Sequence, residues 1–305
     1  MAFQVLLYYK YVSIDDPNQV RDDQKKLCER LNLKGRIIVS KEGINGTLEG
    51  LSTNTQKYIK AMLKMPYFKD ITFKKSVGNG MAFPKLSVKT RTEIVAAKMP
   101  QVNPTRLSGK YISAESLYQW FETKAEFFIV DMRNDYEQKS GYFEGSILSG
   151  IHNFYDLPKI LPNLRHLKNK IIVTVCTGGV RCEKGSGFLV QNGFSDVYQL
   201  EGGIQTFMEK YPNKYFKGKL YVFDNRLTIG FNTKDPKHQI VGKCYHCQNK
   251  SDNYVNCAYD FCHYHYICCS NCRDKETGLA FCKRECKEKY FKIQRPRLTI
   301  SARPF

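Results

Sequence analysis

The stretch Cys176-Thr-Gly-Gly-Val-Arg-Cys-Glu-Lys184 lies between two segments with different sequence patterns. The run before it, Ile171–Val175, is apolar and β-branched, which is typical of a buried strand. The segment after it, residues 182–191, is compatible with a helix. This order predicts an α/β domain in which Cys176 occupies a glycine-bearing loop between a buried strand and a helix N-terminus.

A cysteine at that position is expected to be reactive. Backbone N–H groups and the helix dipole stabilise an anion there, so the thiol should have a lowered pKa. Gly178 and Gly179 allow the loop amides to surround the anion, and Arg181 adds a fixed positive charge to the same cradle. The alternative is a buried structural cysteine that precedes an ordinary turn.

The loop spacing separates the known thiol chemistries. Cys176 and Arg181 are spaced C-x4-R, one residue shorter than the loop of cysteine phosphatases, so a phosphatase is disfavoured. The shorter loop resembles that of rhodaneses, which carry sulfur as a persulfide. Asp131-Met-Arg133 with Glu137 resembles the rhodanese D-x-R-x-x-x-E pattern, and residues 196–204 resemble its last strand and glycine turn. We expect Asp131 to orient Arg133 by an ion pair and both residues to support the loop.

The rest of the chain divides into further segments, and the whole is predicted to combine α/β and α+β domains. Residues 1–95 read as β-α-β-β-α-β, with strands over 5–11, 35–39, 46–48 and 71–75 and helices over 18–31 and 53–65. That order predicts a ferredoxin-like domain. Residues 96–112 form a linker, residues 113–217 the rhodanese-like domain, and residues 218–305 a cysteine-rich basic module.

Two shorter motifs carry positional expectations. The glycine-rich turn within residues 35–47 is either a bulged hairpin or a surface that meets RNA, with Arg36, Lys41 and Asn45 as its candidate contacts. The pair Asp224 and Arg226 is expected to dock the tail onto the rhodanese-like domain.

The charge is distributed unevenly. The net charge is +19, with 20 Lys/Arg against 9 Asp/Glu in residues 1–110 and 12 against 6 in residues 241–305. The central region, with 16 against 14, is almost neutral. This pattern favours a nucleic acid gripped from both sides of a central site, although a generally basic solvated surface has the same composition. No apolar run is long enough to span a membrane and no leader is visible, so a cytoplasmic location is expected.

The tail contains four cysteine pairs, and the alternative to metal binding is reduced, buried cysteine packing. The pairs predict two tetrahedral zinc sites that join the first pair with the third and the second with the fourth. Cys268 and three histidines remain as spare donors. Beyond the pairs, Arg295 and Arg297 lie in a basic end that can touch phosphate. The four pairs are Cys244/Cys247, Cys257/Cys262, Cys269/Cys272 and Cys282/Cys286.

Together, the motif within residues 35–47, the Cys176 loop with Cys182, Glu183 and Lys184, the Phe-Asp-x-Arg segment and the cysteine-rich tail resemble the bacterial rhodanese-domain tRNA uridine hydroxylases. The resemblance spans nearly the whole chain; Val180 replaces the expected isoleucine. It implies oxygen-dependent formation of 5-hydroxyuridine at the wobble position, with the tRNA anticodon region as partner, O2 as co-substrate and Cys176 as the essential cysteine.

The cofactor and the mechanism stay open at this stage. The sequence shows no dinucleotide-binding glycine fingerprint, no haem or flavin motif and no obvious iron-binding triad. One hypothesis is that the Cys176 thiolate adds to C6 of uracil and activates C5 toward O2, with the loop amides stabilising the enolate. The competing hypothesis is a Cys176 persulfide resolved by Cys182. A tRNA sulfurtransferase and a non-catalytic RNA-binding adaptor are the rival functions. No motif in the sequence indicates the electron donor.

Overall fold

A computed structural model describes residues 2–294 of the chain. These residues form two compact units, one ending at Gln239 and the other beginning at Ile240. None of the helices within residues 2–294 is both long and apolar enough to cross a lipid bilayer. The predicted fold class is confirmed, because the first unit combines an antiparallel-rich α+β part with a parallel α/β part and the second is rich in cysteine.

The N-terminal part of the first unit is a ferredoxin-like sheet with one added strand. Its sheet order is β4-β1-β3-β2-β5, where the first four strands are antiparallel and β5 runs parallel to β2. Strand β5 was not predicted from the sequence. Asp16 accepts hydrogen bonds from two N–H groups of the first helical turn, which fixes the start of α1. The elements are β1 (Phe3–Tyr11), α1 (Pro17–Arg30), β2 (Lys34–Ser40), β3 (Gly43–Leu51), α2 (Ser52–Met62), β4 (Phe73–Gly78) and β5 (Leu86–Thr90).

The second part of the first unit is a parallel sheet flanked by two apolar cores. Its order is β6-β11-β10-β7-β9, so the β-branched strand β10 lies at the centre. The helix α6 begins two residues earlier than predicted. The elements are β6 (Lys110–Ile112), α3 (Ala114–Glu122), β7 (Phe128–Asp131), α4 (Asp135–Gln138), β8 (Gly141–Phe143), β9 (Ile147–Leu148), α5 (Leu157–Leu164), β10 (Ile171–Val175), α6 (Val180–Gln191), β11 (Asp196–Leu200) and α7 (Gly203–Lys210).

The position of β10 fixes the position of the cysteine loop. Parallel α/β sheets place their ligands at the carboxyl ends of the strands. The loop after Val175 therefore lies at the edge of the sheet where a site is expected. The N-terminal sheet packs over this edge, because Gly178 and Gly179 of the loop contact Leu7 and Tyr9 of β1.

A buried lysine joins the two sheets. Lys184 of α6 is fully buried, and its ammonium lies 2.9 Å from the Glu42 carboxylate and 2.7 Å from that of Glu93. Glu42 belongs to the β2–β3 turn and Glu93 follows β5. Lys184 thus anchors the N-terminal sheet to the helix that starts at the cysteine loop.

The segment after α7 contacts both parts of the first unit, and the predicted docking partner of the Asp224–Arg226 pair was wrong. Strands β12 (Phe216–Gly218), β13 (Leu220–Tyr221) and β14 (Thr228–Ile229) belong to this segment, and β12 pairs with β8 of the rhodanese-like part. Arg226 pairs with Asp224 at 2.6 Å, as expected, but its guanidinium also donates to Ser76 and to the carbonyl of Val77 in β4. The pair therefore fixes this segment to the N-terminal sheet rather than to the rhodanese-like part.

The second unit is small and has a core made largely of cysteine and aromatic side chains. It contains one short hairpin, β15 (Tyr254–Asn256) and β16 (His265–Ile267), and the helix α8 (Arg284–Gln294). So little regular structure indicates that the cysteines themselves organise this unit.

Candidate active site

The carbonyl oxygens of the cysteine loop point outward and accept hydrogen bonds from other elements. This turns the loop amides toward the interior, where they can face the cysteine sulfur. The four donors are the Ile204 amide to Cys176 at 2.9 Å, the Gln205 amide to Thr177 at 3.1 Å, the Lys74 ammonium to Gly178 at 2.5 Å and the Tyr11 hydroxyl to Val180 at 3.2 Å. Two of these donors come from the N-terminal sheet, so that sheet helps to shape the loop.

The Cys176 sulfur is the focus of the loop. Gly179 adopts φ +107°, a conformation that favours glycine, and its N–H donates to the sulfur at 3.2 Å. Burial raises the pKa of Cys176, but hydrogen bonding from the Cys182 thiol, the charge of Arg181 and backbone N–H groups together lower it below its ordinary value. The structure thus supports a reactive thiolate at Cys176.

Arg181 is held by a carboxylate that the sequence analysis did not assign to the site. Its guanidinium contacts both oxygens of Glu137, at 2.5 and 2.8 Å, and the pair is buried. Arg181 therefore does not act as the free charge that was expected in the cradle, because Glu137 compensates much of its charge. The signal was present in the sequence, since Glu137 ends the D-x-R-x-x-x-E pattern.

The charged residues near the cysteine loop make their contacts with neighbouring elements. Asp131 and Arg133 form the predicted ion pair at 2.6 Å, fully buried, and Arg133 also donates to the carbonyl of Gly141. Glu183 accepts hydrogen bonds from Tyr9 and Tyr111, and Lys184 reaches away to Glu42 and Glu93. Glu183 and Lys184 therefore connect the loop helix to its surroundings rather than contacting Cys176.

A cavity of about 340 Å³ opens at Cys176. Its floor comes from the loop and its roof from the N-terminal sheet. Most of the wall is apolar, and polar groups project into it at a few points. Among its lining residues are Leu7, Tyr9, Ile38, Thr47, Phe83, Phe154, Tyr155, Thr177 and Gly178. Such a lining suits a flat organic ring held by a small number of polar contacts.

The expected RNA contacts are only partly brought together. Arg36 and Asn45 line the cavity, whereas Lys41 lies in the β2–β3 turn and is not among the described lining residues. Arg36 donates to the carbonyl of Phe223, and Asn45 donates to the carbonyl of Ile94. Arg295 and Arg297 lie outside the described residues.

Five aromatic residues of the described chain line the cavity and none was predicted from the sequence; Tyr9 and Phe223 are two of them. Tyr9 lines it from β1, and its hydroxyl donates to Glu183. Phe223 lines it from the segment after β13, yet 47% of its surface is exposed. The guanidinium of Arg181 lies 5.7 Å from the Phe223 ring centroid. The Phe-Asp-x-Arg motif at residues 223–226 is the sequence signal that could have identified Phe223.

The second unit brings its cysteines into two groups, in the alternating order expected from the sequence. In each group the four sulfurs lie within 4.8 Å of one another. Measured pairs are 3.6 Å apart for Cys247 and Cys269 and 3.5 Å for Cys262 and Cys282. Four thiolates around one zinc ion would be about 3.8 Å apart, given a Zn–S bond of about 2.3 Å. The groups are Cys244, Cys247, Cys269, Cys272 and Cys257, Cys262, Cys282, Cys286.

Comparison with known proteins places this architecture. Family models described as a UPF0176 acylphosphatase-like domain, a rhodanese-like domain and a rhodanese C-terminal region match residues 3–94, 113–210 and 217–287. The tRNA uridine(34) hydroxylase of Bacillus licheniformis is 42% identical over 93% of this chain and 88% of its own. This chain belongs to the tRNA uridine(34) hydroxylase family. Its members in Staphylococcus carnosus and Cytophaga hutchinsonii are 41% and 38% identical, over 94% and 93% of this chain and 90% of each of theirs.

All three family-matched segments contribute to the cavity of this tRNA uridine(34) hydroxylase family member. Tyr9 comes from the first segment, Cys176 from the second and Phe223 from the third. The rhodanese-like part alone would leave Cys176 without its roof. The tRNA uridine(34) hydroxylase family thus combines these segments around one pocket in this chain.

Proposed function

We propose that this protein hydroxylates uridine 34 of tRNA at C5 to 5-hydroxyuridine, with O2 as the oxidant. The observation that carries the proposal is the position of Cys176, a thiol with a lowered pKa on the wall of a cavity roofed by a second domain. The relatives that align with most of this chain are named tRNA uridine(34) hydroxylase, which supports hydroxylation of this uridine.

The cavity supports a nucleobase as the group that enters. Its volume of about 340 Å³ lies within the usual range for small-molecule sites, about 300–1,000 Å³. Enzymes that modify a base take it out of its stack and hold it between apolar and aromatic side chains. Leu7, Tyr9 and Phe154 offer such surfaces, and Asn45 and Thr47 offer polar groups for the edge of a uracil.

The chemistry we propose starts with the Cys176 thiolate. It adds to C6 of uracil, which makes C5 nucleophilic, and C5 then reacts with O2. The Gly179 N–H is directed at the sulfur, so this amide stabilises the thiolate before attack and after release. The sequence-based hypothesis was that the loop amides stabilise the enolate of the base. We instead assign the Gly179 amide to the sulfur of Cys176.

The surface around the cavity supports tRNA as the substrate. Residues 1–110 carry 20 Lys/Arg against 9 Asp/Glu, and this region includes the cavity roof. Arg36 and the exposed ring of Phe223 lie at the cavity, a combination that suits phosphate attraction and base stacking. We infer that the anticodon loop docks here, that Arg295 and Arg297 add phosphate contacts, and that the protein works in the cytoplasm.

We also propose that the second unit binds two structural zinc ions. Each cysteine group offers four sulfurs in a cluster of the size that a tetrahedral site requires. Four thiolates would fill all four coordination positions of each zinc ion, so neither ion would have an open position for a substrate. Zinc here would supply folding free energy to a unit with little regular structure.

A second candidate function is transfer of sulfur to the same uridine. The rhodanese-like fold and the position of Cys182 in the same buried core as Cys176 favour it, because a nearby thiol can resolve a persulfide on Cys176. Replacing oxygen with sulfur and inserting oxygen give the same nominal mass change, so accurate mass is needed to separate the two products.

Nucleoside analysis in cells tests the proposal. A strain that lacks the protein would be complemented with wild type, Cys176→Ser or Cys28→Ser, and its tRNA digested and analysed by accurate-mass spectrometry. Wild type and the control Cys28→Ser should restore 5-hydroxyuridine, and Cys176→Ser should not. Restoration by Cys176→Ser would support a non-catalytic adaptor, and a thiolated uridine would support sulfur transfer.

A further inference from the structure

Two thiols flank the cysteine loop, and only Cys176, which lines the cavity, is needed to attack uracil. Cys176 and Cys182 are both fully buried and share one apolar core. The cysteine loop links the two residues: the Cys182 N–H donates to the Gly179 carbonyl at 2.9 Å, and the Gly179 N–H donates to the Cys176 sulfur at 3.2 Å. Cys182 lies in the first turn of α6 and follows Arg181, which lines the cavity, in the sequence. A second thiol held one loop turn away in the same core is placed to form a disulfide with the reactive one.

Hydroxylation by O2 requires two electrons from a reductant, because one oxygen atom enters the base and the other must leave as water. We propose that the Cys176–Cys182 thiol pair supplies these two electrons and is oxidised to a disulfide in each turnover. This proposal rests on the proposed hydroxylase function. It makes Cys182 a catalytic residue whose sulfur reacts with that of Cys176.

The steps balance without any other electron source. After O2 adds at C5 and Cys176 leaves C6 with loss of the C5 proton, the base is a 5-hydroperoxyuridine. The Cys176 thiolate attacks the outer peroxide oxygen, which breaks the O–O bond and leaves 5-hydroxyuridine and a Cys176 sulfenic acid. The Cys182 thiol condenses with the sulfenic acid, forming the S–S bond and releasing water. In total, uridine, O2 and two thiols become 5-hydroxyuridine, water and one disulfide.

The surroundings of the pair suit this cycle. Cys182 lies in the same core as Cys176, so its thiol can capture a sulfenic acid on Cys176 before a second oxidant does. Burial and the negative sulfur beside it raise the pKa of Cys182, so Cys182 keeps its proton while Cys176 is the thiolate. An external small-molecule thiol or dithiol protein would then reduce the disulfide through thiol–disulfide exchange and allow the next turnover.

The test is a single-turnover reaction with the full-length protein. The protein is reduced, freed of added thiol and mixed with tRNA that has an unmodified uridine 34 under O2. We expect product to stop at about one 5-hydroxyuridine per chain, with a Cys176–Cys182 disulfide of matching amount in peptide mass spectrometry. Adding dithiothreitol should restore continued turnover. Peptide-level detection is required because the second unit contributes nine more cysteines, residues 244–286.

Two variants sharpen the result. Cys182→Ser should still form product once, but should leave Cys176 as a sulfenic acid that dimedone traps. Cys28→Ser removes another fully buried thiol and should behave as wild type in product yield and disulfide formation. Because the main readout uses wild type, a Cys182→Ser variant that fails to fold leaves the test intact.

The outcomes separate the two proposals. Product that exceeds one per chain without thiol, or that forms while Cys182 stays reduced, overturns the dithiol proposal alone. Product that requires a nicotinamide reductant instead of thiol also overturns it. If wild type forms no 5-hydroxyuridine with dithiothreitol and O2 present, the hydroxylase proposal fails, and the dithiol proposal fails with it.

Discussion

The two guanidinium nitrogens of Arg181 donate hydrogen bonds to the two carboxylate oxygens of Glu137, at 2.5 and 2.8 Å, and both side chains are buried. Arg181 is the sixth residue of the cysteine loop, counted from Cys176, and Glu137 is the third residue of the short helix α4. The bidentate contact therefore ties the reactive loop to the neighbouring strand connection, and it keeps a positive charge near the Cys176 sulfur.

Removing one partner of this pair should be far worse than removing both. Glu137→Gln leaves a buried guanidinium without its counter-charge, and Arg181→Met leaves a buried carboxylate, so we expect each to cost roughly 3–5 kcal/mol of unfolding free energy. The double variant should recover most of that loss. Urea unfolding of the four proteins provides the measurement, and additive losses in the double variant would contradict the pairing.

The rate at which iodoacetamide alkylates Cys176 should show the pH dependence of a thiol whose pKa is lowered. Because its pKa is lowered, the thiolate is present at pH values well below those at which an ordinary thiol ionises, and it is lost only as the pH falls through the lowered pKa. The iodoacetamide rate at Cys176 should therefore be nearly constant from pH 7 to pH 9, values that bracket the ordinary thiol pKa of about 8.5. Cys28, whose pKa burial raises to about 12, serves as the internal comparison. A steep rise for Cys176 across the same interval would refute the lowered pKa.

Lys184 should be essential for attaching the N-terminal sheet. Lys184→Met leaves Glu42 and Glu93 facing each other without a cation, so we expect a loss of about 3–5 kcal/mol and a looser cavity roof. Lys25→Met, on an exposed helix face with a Glu29 contact of 3.9 Å, should cost less than about 0.5 kcal/mol. Equal thermal stability of the two variants would show that the buried lysine has no such role.

The same contact has a signature in acid. Burial raises the pKa of Glu93, but hydrogen bonds from Lys184 and from backbone N–H groups outweigh it and lower the pKa overall. A carboxyl group whose pKa is lower in the folded protein stabilises the fold at pH values above its pKa in the unfolded chain. That stability is lost as the pH falls through the pKa of the folded protein. Wild type should therefore lose stability over the acid range in which Lys184→Met, already without this contact, changes less.

Phe223 should determine how tightly tRNA binds. Its segment is held by Arg226 to β4 and by Asn225 to the carbonyl of Met81, and its ring remains 47% exposed at the cavity. Stacking of a base on such a ring is worth about 1–3 kcal/mol, so Phe223→Ala should raise KM for tRNA roughly 5- to 150-fold, with kcat changing less. Phe223→Tyr should restore binding.

Phe3→Ala is the matched control for Phe223. Phe3 is 37% exposed on β1 and is not among the described cavity residues, so its removal should leave KM unchanged. Similar KM values for Phe3→Ala and Phe223→Ala would contradict a stacking role for Phe223.

The sequence predicted what local pattern determines and missed what depends on long-range contact. The run Ile171–Val175, the loop glycines and the cysteine spacing specify their own structure, so the α/β site and the two cysteine groups could be anticipated. Strand β5 is short and exists because it pairs with β2 across the intervening residues. No local signal showed that Lys184 would reach Glu42, or that Arg226 would dock on β4.

The site followed the same division. Cys176 was identified from its loop, whereas its roof was not, because Leu7 and Tyr9 read as an ordinary strand. Lys41 and Asn45 come from the same glycine-rich segment, but Lys41 is one of the two turn residues between β2 and β3, whereas Asn45 lies in β3 and lines the cavity. The sequence did not show where the turn between the two strands begins.

The reaction carried out with ¹⁸O2 tests the central claim most directly. Purified protein, dithiothreitol and a tRNA with unmodified uridine 34 would be incubated under ¹⁸O2, and position 34 analysed by accurate-mass spectrometry. We predict 5-hydroxyuridine that contains one ¹⁸O atom, formed by wild type and Cys28→Ser but not by Cys176→Ser. A thiolated uridine, an unlabelled hydroxyl group, or equal product from Cys176→Ser would contradict hydroxylation by O2 at this cysteine.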